Sequence, residues 1–317
     1  MLSRVANSIY WLNRYIERAE NIARFIDVNL NLSLDMPIGM IQQWEPLIWT
    51  SGDRDLFSKD YGAVTSEKVI KFLTFDQSNP NSILSCLNLA RENARSVREI
   101  ISSEMWVQVN SFYHFVQEAA KDSSNLNWSS FFGRIKSESH LFVGITNVTM
   151  SHNEGWQFGQ LGRFLERAEK TTRLLDVKYF ILLPSSRDVG STLDELQWMS
   201  LLRSVSAYEM YRKRDVHRIS PTAVADFLLL EQDFPRSIRF CVQSAERALH
   251  QIMGTKVGTW CSPVERYLGK LRSDLDYVMI DEVVEIGLHE FLDDLQSRVN
   301  EVDGYIFETF FDLKVVG

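Results

Sequence analysis

The 317-residue sequence contains one charged helical segment twice, and that repetition limits what the chain can fold into. Shifted on itself by 149 residues, 12–28 lies over 161–177 with nine of 17 positions identical. The identities are Leu12/Leu161, Arg14/Arg163, Glu17/Glu166, Arg18/Arg167, Ala19/Ala168, Glu20/Glu169, Arg24/Arg173, Asp27/Asp176 and Val28/Val177. A second block, 69–86 over 224–241, appears at a shift of 155 with eight of 18 identical, among them Phe72/Phe227, Pro80/Pro235 and Cys86/Cys241. Two blocks in the same order at nearly the same shift imply a duplicated unit with loop insertions between the blocks.

The repeated unit is helical. Leu12, Tyr15, Ile16, Ala19, Ile22, Ala23, Ile26 and Leu30 recur at the three- and four-residue spacing of one helix face. Similar periodicity predicts helices over 84–105, 131–150, 192–214, 263–276 and 282–311. Pro80 and Pro235 read as first-turn residues of two further helices, where the missing N–H costs nothing. Breaker residues cluster at 35–39, 51–62, 122–127, 185–190 and 254–258, which predicts loops there. Alternating strand patterns are essentially absent. The expected architecture is all-α: a helical bundle of two diverged tandem repeats with internal pseudo-two-fold symmetry. It forms a single domain over 1–317, with repeat 1 at 1–125 and repeat 2 at 126–317, including a linking helix at 129–150.

On a helical wheel Glu17, Glu20, Arg24 and Asp27 fall within a stripe of about 80°, flanked by Arg14. Glu166, Glu169, Arg173, Asp176 and Arg163 repeat the arrangement. One reading is a solvated face laced with ion pairs of roughly 0.2–0.5 kcal/mol each. Pairs that weak tolerate Lys for Arg or Asp for Glu, yet both copies keep residue type and order. A second reading is therefore an inter-helix network that needs the planar two-pronged geometry of arginine. A binding site for a charged ligand is the third.

The opening Met1-Leu2-Ser3-Arg4-Val5-Ala6 and the run Tyr10-Trp11-Leu12…Arg14-Tyr15-Ile16-Glu17-Arg18-Ala19-Glu20-Asn21…Ala23-Arg24 resemble the bacterial alpha-E domain family. So does Met150-Ser151-His152…Glu154-Gly155-Trp156 before the second motif. The resemblance runs through nearly the whole chain and implies a helical protein. Its genes would neighbour circularly permuted ATP-grasp proteins and transglutaminase-like proteases. It implies a part in making or modifying peptide or amide bonds, with an ATP-grasp ligase as partner and the protease as a second candidate. The signature residues carried over are Glu17, Arg18, Glu20 and Arg24, with Glu166, Arg167, Glu169 and Arg173.

Three functions compete. The first is a helper module docking through the faces around Glu17–Asp27 and Glu166–Asp176. The second is an enzyme with Glu17 or Glu166 as general base, arginines on a substrate carboxylate, and His152 and Glu154 assisting. The third is a structural oligomer without a ligand. His152 and Glu154 sit in a segment of turn composition, which also fits a capping role.

Metal binding is not expected, because the Glu-x-x-His pairs of di-iron bundles are missing and Glu285/His289 stands alone. No cofactor is expected either. Neither Gly159-Gln160-Leu161-Gly162 nor the glycines at 254 and 258 follows a strand or ends in the Lys-Ser/Thr of a phosphate loop. Cys86 and Cys241 lie inside apolar helical segments, so packing explains them better than nucleophilic work. A net charge of −8 repels polyanions, which argues against a nucleic-acid partner. An odd count of three cysteines and an N-terminus without a secretory pattern predict reduced thiols and a cytoplasmic location. No apolar run reaches the roughly 20 residues needed to span a bilayer.

Overall fold

A computed structural model describes residues 1–35, 44–180, 190–214 and 219–312. These form helices α1 (Ser3–Asp35), α2 (Glu45–Ser51), α3 (Arg54–Tyr61), α4 (Ser66–Thr74) and α5 (Ile83–Ser96). Next come α6 (Ser103–Lys121), α7 (Trp128–Thr149), α8 (Glu154–Phe180), α9 (Thr192–Ser204) and α10 (Tyr208–Tyr211). The chain closes with α11 (Pro221–Leu230), α12 (Ile238–Met253), α13 (Pro263–Tyr277), α14 (Ile280–Ile286), α15 (Leu288–Ile306) and a π-helical turn, Phe307–Phe311. Among the described residues there is no strand.

Serine caps, more than proline, set the helix starts. Ser82 and Ser237 cap α5 and α12, their hydroxyls accepting from Ser85 N and Phe240 N. Pro80 and Pro235 lie in the preceding turns, two residues ahead of the cap and not in the first helical turn. The side-chain acceptor satisfies an orphan N–H that proline alone cannot.

Three long periodic stretches are interrupted. The 84–105 stretch breaks between α5 and α6, 192–214 breaks between α9 and α10, and 282–311 is divided at Gly287, whose φ of 104° stops α14. Buried Val97, Ile101, Val205 and Ala207 keep the apolar pattern running across two of these breaks, which hides them from periodicity. The expected loop at 51–62 holds α3, bracketed by Gly52 and Gly62 at φ 82° and 66°. The loops at 122–127 and 254–258 are present, whereas 36–39 and 185–189 lie outside the described residues.

Two apolar cores flank the long helices α1 and α8. One gathers Val5, Leu12 and Ile16 of α1 with α4–α7, down to Phe142 and Met150. The other gathers Leu161, Leu165 and Leu175 of α8 with α9 and α11–α15. The helix α7 packs on α1 and α6, and α15 packs on α8 and α13.

Between the cores α1 and α8 run parallel, because their contacts advance together. Met1 N pairs with Glu154 at 2.8 Å, a Cβ on Gly159 would meet Asn13, and Arg18 meets Glu166. Gly162 permits the closest approach. A Cβ there would stand 2.5 Å from the Tyr10 carbonyl oxygen, so any larger residue pushes the helices apart. Gly159-Gln160-Leu161-Gly162 is thus a helix-contact site within α8.

Candidate functional site: a buried glutamate–arginine clamp

The polar stripes of α1 and α8 face each other, so neither is solvated. Glu20 and Glu166 have no exposed surface, and Glu17 and Arg24 keep 2% each. Charges this deep must be paired and hydrogen-bonded, since an unanswered ion costs several kcal/mol.

The pairing is reciprocal across the two helices. Arg18 donates Nε to Glu166 Oε1 at 2.6 Å and Nη2 to Oε2 at 3.0 Å. Arg167 donates Nε to Glu17 Oε1 at 2.9 Å and Nη2 to Oε2 at 2.7 Å. Both are two-pronged bonds of the kind that only guanidinium can make. Within each helix the second glutamate holds an arginine one turn on. Arg24 donates Nε and Nη2 to Glu20 Oε1 at 2.9 and 2.7 Å, and Arg173 Nε donates to Glu169.

Further groups complete each acid. Arg236, just before α12, donates to Glu17 Oε1 at 3.2 Å, to Asn21 Oδ1 at 3.2 Å and to Glu20. Ser139 and His140 of α7 reach Glu20 at 2.7 and 3.1 Å. Lys170 pairs with Glu169 at 2.7 Å and Glu166 at 3.7 Å, and Arg14 Nε donates to Glu166 Oε2 at 2.8 Å.

Electrostatics follow from this packing. Burial alone would push all four glutamates up, but Arg18, Arg14 and Lys170 hold Glu166 well below the usual carboxylate range. Arg236 and Arg24 do the same for Glu20, and Arg167 with Arg236 lowers Glu17. Lys170 and Arg173 lower Glu169. Burial pulls the Arg18 and Arg167 guanidinium groups down, yet Glu166 and Glu17 raise both overall.

Arg163 differs from its counterpart Arg14. It stacks on the Phe164 ring at 4.8 Å and donates to Gln160, and its buried Nε finds no acceptor among the described residues. Burial, then the neighbouring Arg167, lowers it to about 10.

The outer stripe residues turn to other helices. Asp27 takes Lys136 at 2.6 Å, and Asp176 takes His289 Nδ1 at 2.7 Å. Burial raises Asp176, and the hydrogen bond with that carboxylate raises His289.

The structure keeps His152 and Glu154 apart from the motif glutamates in its bonding. His152 contacts the Asn147 carbonyl at 3.1 Å and stacks on Trp156, while Glu154 holds the Met1 ammonium. Cys86 and Cys241 are buried next to the clamp, and burial pushes both thiols up to about 12. Among the described residues no group of three or more His, Cys, Asp or Glu is placed to hold a metal, and no helix is long and apolar enough to cross a membrane.

Sequence reasoning missed Arg236, Lys170, Asn21, Ser139 and His140. Two of them had a signal: Arg236 stands over Asn81 and Lys170 over Asn21 at the two repeat shifts. Identities between the aligned blocks do not mark them, because each is a cation standing over an asparagine. Asn81 itself accepts from Arg18 Nη1 at 2.9 Å.

An all-helical protein whose two long parallel helices are joined by buried, reciprocal Glu-Arg pairs defines the structural class. The chain belongs to the Alpha-E family, described as a predicted alpha-helical domain with a conserved ER motif, which it matches over residues 1–311. It is similar to uncharacterized proteins of Mycobacterium bovis and of two Mycobacterium tuberculosis strains. Each is 21% identical over 322 residues, covering 94% of this chain and 35% of the relative. The chain thus spans about a third of the length of the curated relatives it matches. No solved structure matches it.

Proposed function

We propose that the Glu-Arg motif is a structural clamp and that the protein is an accessory helical module of an ATP-grasp-linked system for making or modifying peptide or amide bonds. One observation carries the clamp: all four motif glutamates are buried and answered by guanidinium or ammonium groups, Glu17 and Glu166 by an arginine of the facing helix. A docking face needs exposure, so a partner engages surfaces other than the stripes at 17–27 and 166–176. A general base at Glu17 or Glu166 needs a carboxyl poised near working pH. Both are held below their ordinary value.

In this reading two copies of one unit are related by a pseudo-two-fold axis between α1 and α8. Adding 149 turns the pair Arg18–Glu17 into Arg167–Glu166, and the bonds exchange accordingly. Packing supports it: α5, α7 and α9 lie on α1, and α12, α15 and α2 lie on α8. The unit boundary then falls near residue 150 rather than 125, since α7 serves α1 as α15 serves α8. His140 over His289 and Phe142 over Phe291 agree with that shift.

The accessory role rests on the family resemblance and on relatives that hold this module within chains about three times as long. Affinity purification of the tagged protein from its host, with mass spectrometry, tests it. An ATP-grasp protein enriched over an untagged control is the expected result. Enrichment of none, under native and cross-linked conditions alike, overturns the accessory assignment and leaves the clamp standing.

A further inference from the structure

Next to the clamp, between α1 and the end of α15, lies an open cavity of about 430 Å³. Four rings line it, those of Tyr10, Trp11, Phe307 and Phe311. Its volume lies within the range of roughly 300–1,000 Å³ typical of small-ligand sites.

The charged residues of the lining share one sign, beside the neutral amide of Asn300. Asp303 and Glu308 are in the lining, with neither Lys nor Arg. Asp303 gives Oδ1 to Arg14 at 2.5 Å and to Tyr10, and no described residue bonds its other oxygen. Glu308 is exposed and forms no hydrogen bond or ion pair among the described residues. The helix also runs out here: α15 and its π-helical turn finish at Phe311, which places the negative end of the peptide dipoles at the lining. Arg14 stands behind Asp303 with its guanidinium bonded to Glu166, Tyr10 and Asp303 and stacked over the Trp11 and Tyr10 rings at 4.8 and 5.5 Å, so Phe307 and Phe311 are the rings with no cation already over them among the described residues.

We propose that this cavity binds an alkylammonium ion, the group carried by a lysine side chain or a free diamine. Aromatic faces attract a cation through their quadrupoles, most strongly where water is excluded. The carboxylates and the helix end add to that attraction, and the aliphatic stem packs on the rings. An anion would meet repulsion from all three features.

Gly304 gives a clean test. A Cβ added there meets nothing within 4 Å, so Gly304→Leu starts its side chain from open space at the cavity lining and favours the helix. Calorimetric titration would compare N-acetyl-lysine methylamide, its uncharged norleucine analogue, and cadaverine. The lysine probe is expected to bind saturably and at least ~10-fold tighter than the norleucine analogue. Gly304→Leu should abolish binding, and Glu308→Gln should weaken it several-fold, with melting temperature preserved in both. Tighter binding of cadaverine than of the lysine probe assigns the site to free diamines, and the reverse order assigns it to a protein side chain. The proposal is overturned by equal binding of lysine and norleucine probes, by unchanged binding to a folded Gly304→Leu variant, or by no saturation with either cation.

Discussion

Arg18 and Glu166, 148 positions apart in sequence, meet through two parallel hydrogen bonds inside the molecule. Arg167 and Glu17 meet the same way 150 positions apart. Removing one member of such a pair does more harm than losing a surface contact, because its partner stays buried and charged. Glu166→Gln leaves Arg18 without its counter-charge and strips Arg14 and Lys170 of one of their two, and should cost about 3–5 kcal/mol. Glu92→Gln, at a partly exposed pair with Arg91 and Arg95, should cost at most ~1 kcal/mol. Urea unfolding monitored by circular dichroism checks both; equal losses would refute the clamp.

The close approach at Gly162 predicts a reversal of ordinary helix propensity. Gly162→Ala puts a methyl against the Tyr10 carbonyl and should destabilise by about 1–3 kcal/mol through forced separation of α1 and α8. Gly144→Ala, in α7 with open space around the new carbon, should instead be neutral or gain up to ~1 kcal/mol. Thermal melting of the two variants reads the contrast directly.

Acid should unfold the protein late and steeply. All four motif glutamates have values lowered by folding, so each stabilises the native state fully above its unfolded value of about 4.3. That stability declines below this point and is gone once pH passes the lower folded values. Urea midpoints measured from pH 7 to pH 2 should stay level to about 4.5 and then drop. Glu166→Gln should show a shallower acid limb, since one depressed carboxyl is gone.

The thiols should divide cleanly. Cys86 and Cys241 are buried with their titration pushed up to about 12, whereas Cys261 is exposed. A thiol reagent at pH 8 should label Cys261 alone in the native protein and all three after denaturation. Fast labelling of Cys86 or Cys241 would contradict the packing around the clamp.

The helical class was readable because apolar spacing reports which side of a helix is buried, and the charged stripe was readable because it occurs twice. Burial of that stripe was not. Glu17 and Glu20 look like a surface until the facing helix is in place, and periodicity assigns one wet side to any amphipathic segment. Arg236 and Asp303 are illegible for a related reason: each reaches the motif from a distant part of the chain, through contacts no local pattern encodes. The breaks at 97–102 and 205–207 were hidden by buried Val97 and Val205, which hold the apolar phase where the backbone leaves the helix.

The distance along the chain between clamp partners also bears on synthesis. When α1 leaves the ribosome, Glu17 awaits Arg167 and Arg236, 150 and 219 residues downstream. Until those arrive, the first helix carries Glu17 without a cationic partner, and its final burial is postponed to the later stages of translation. A nascent fragment ending before α8 therefore presents an unfinished polar seam, open to chaperones and proteases for the interval the missing arginines take to emerge.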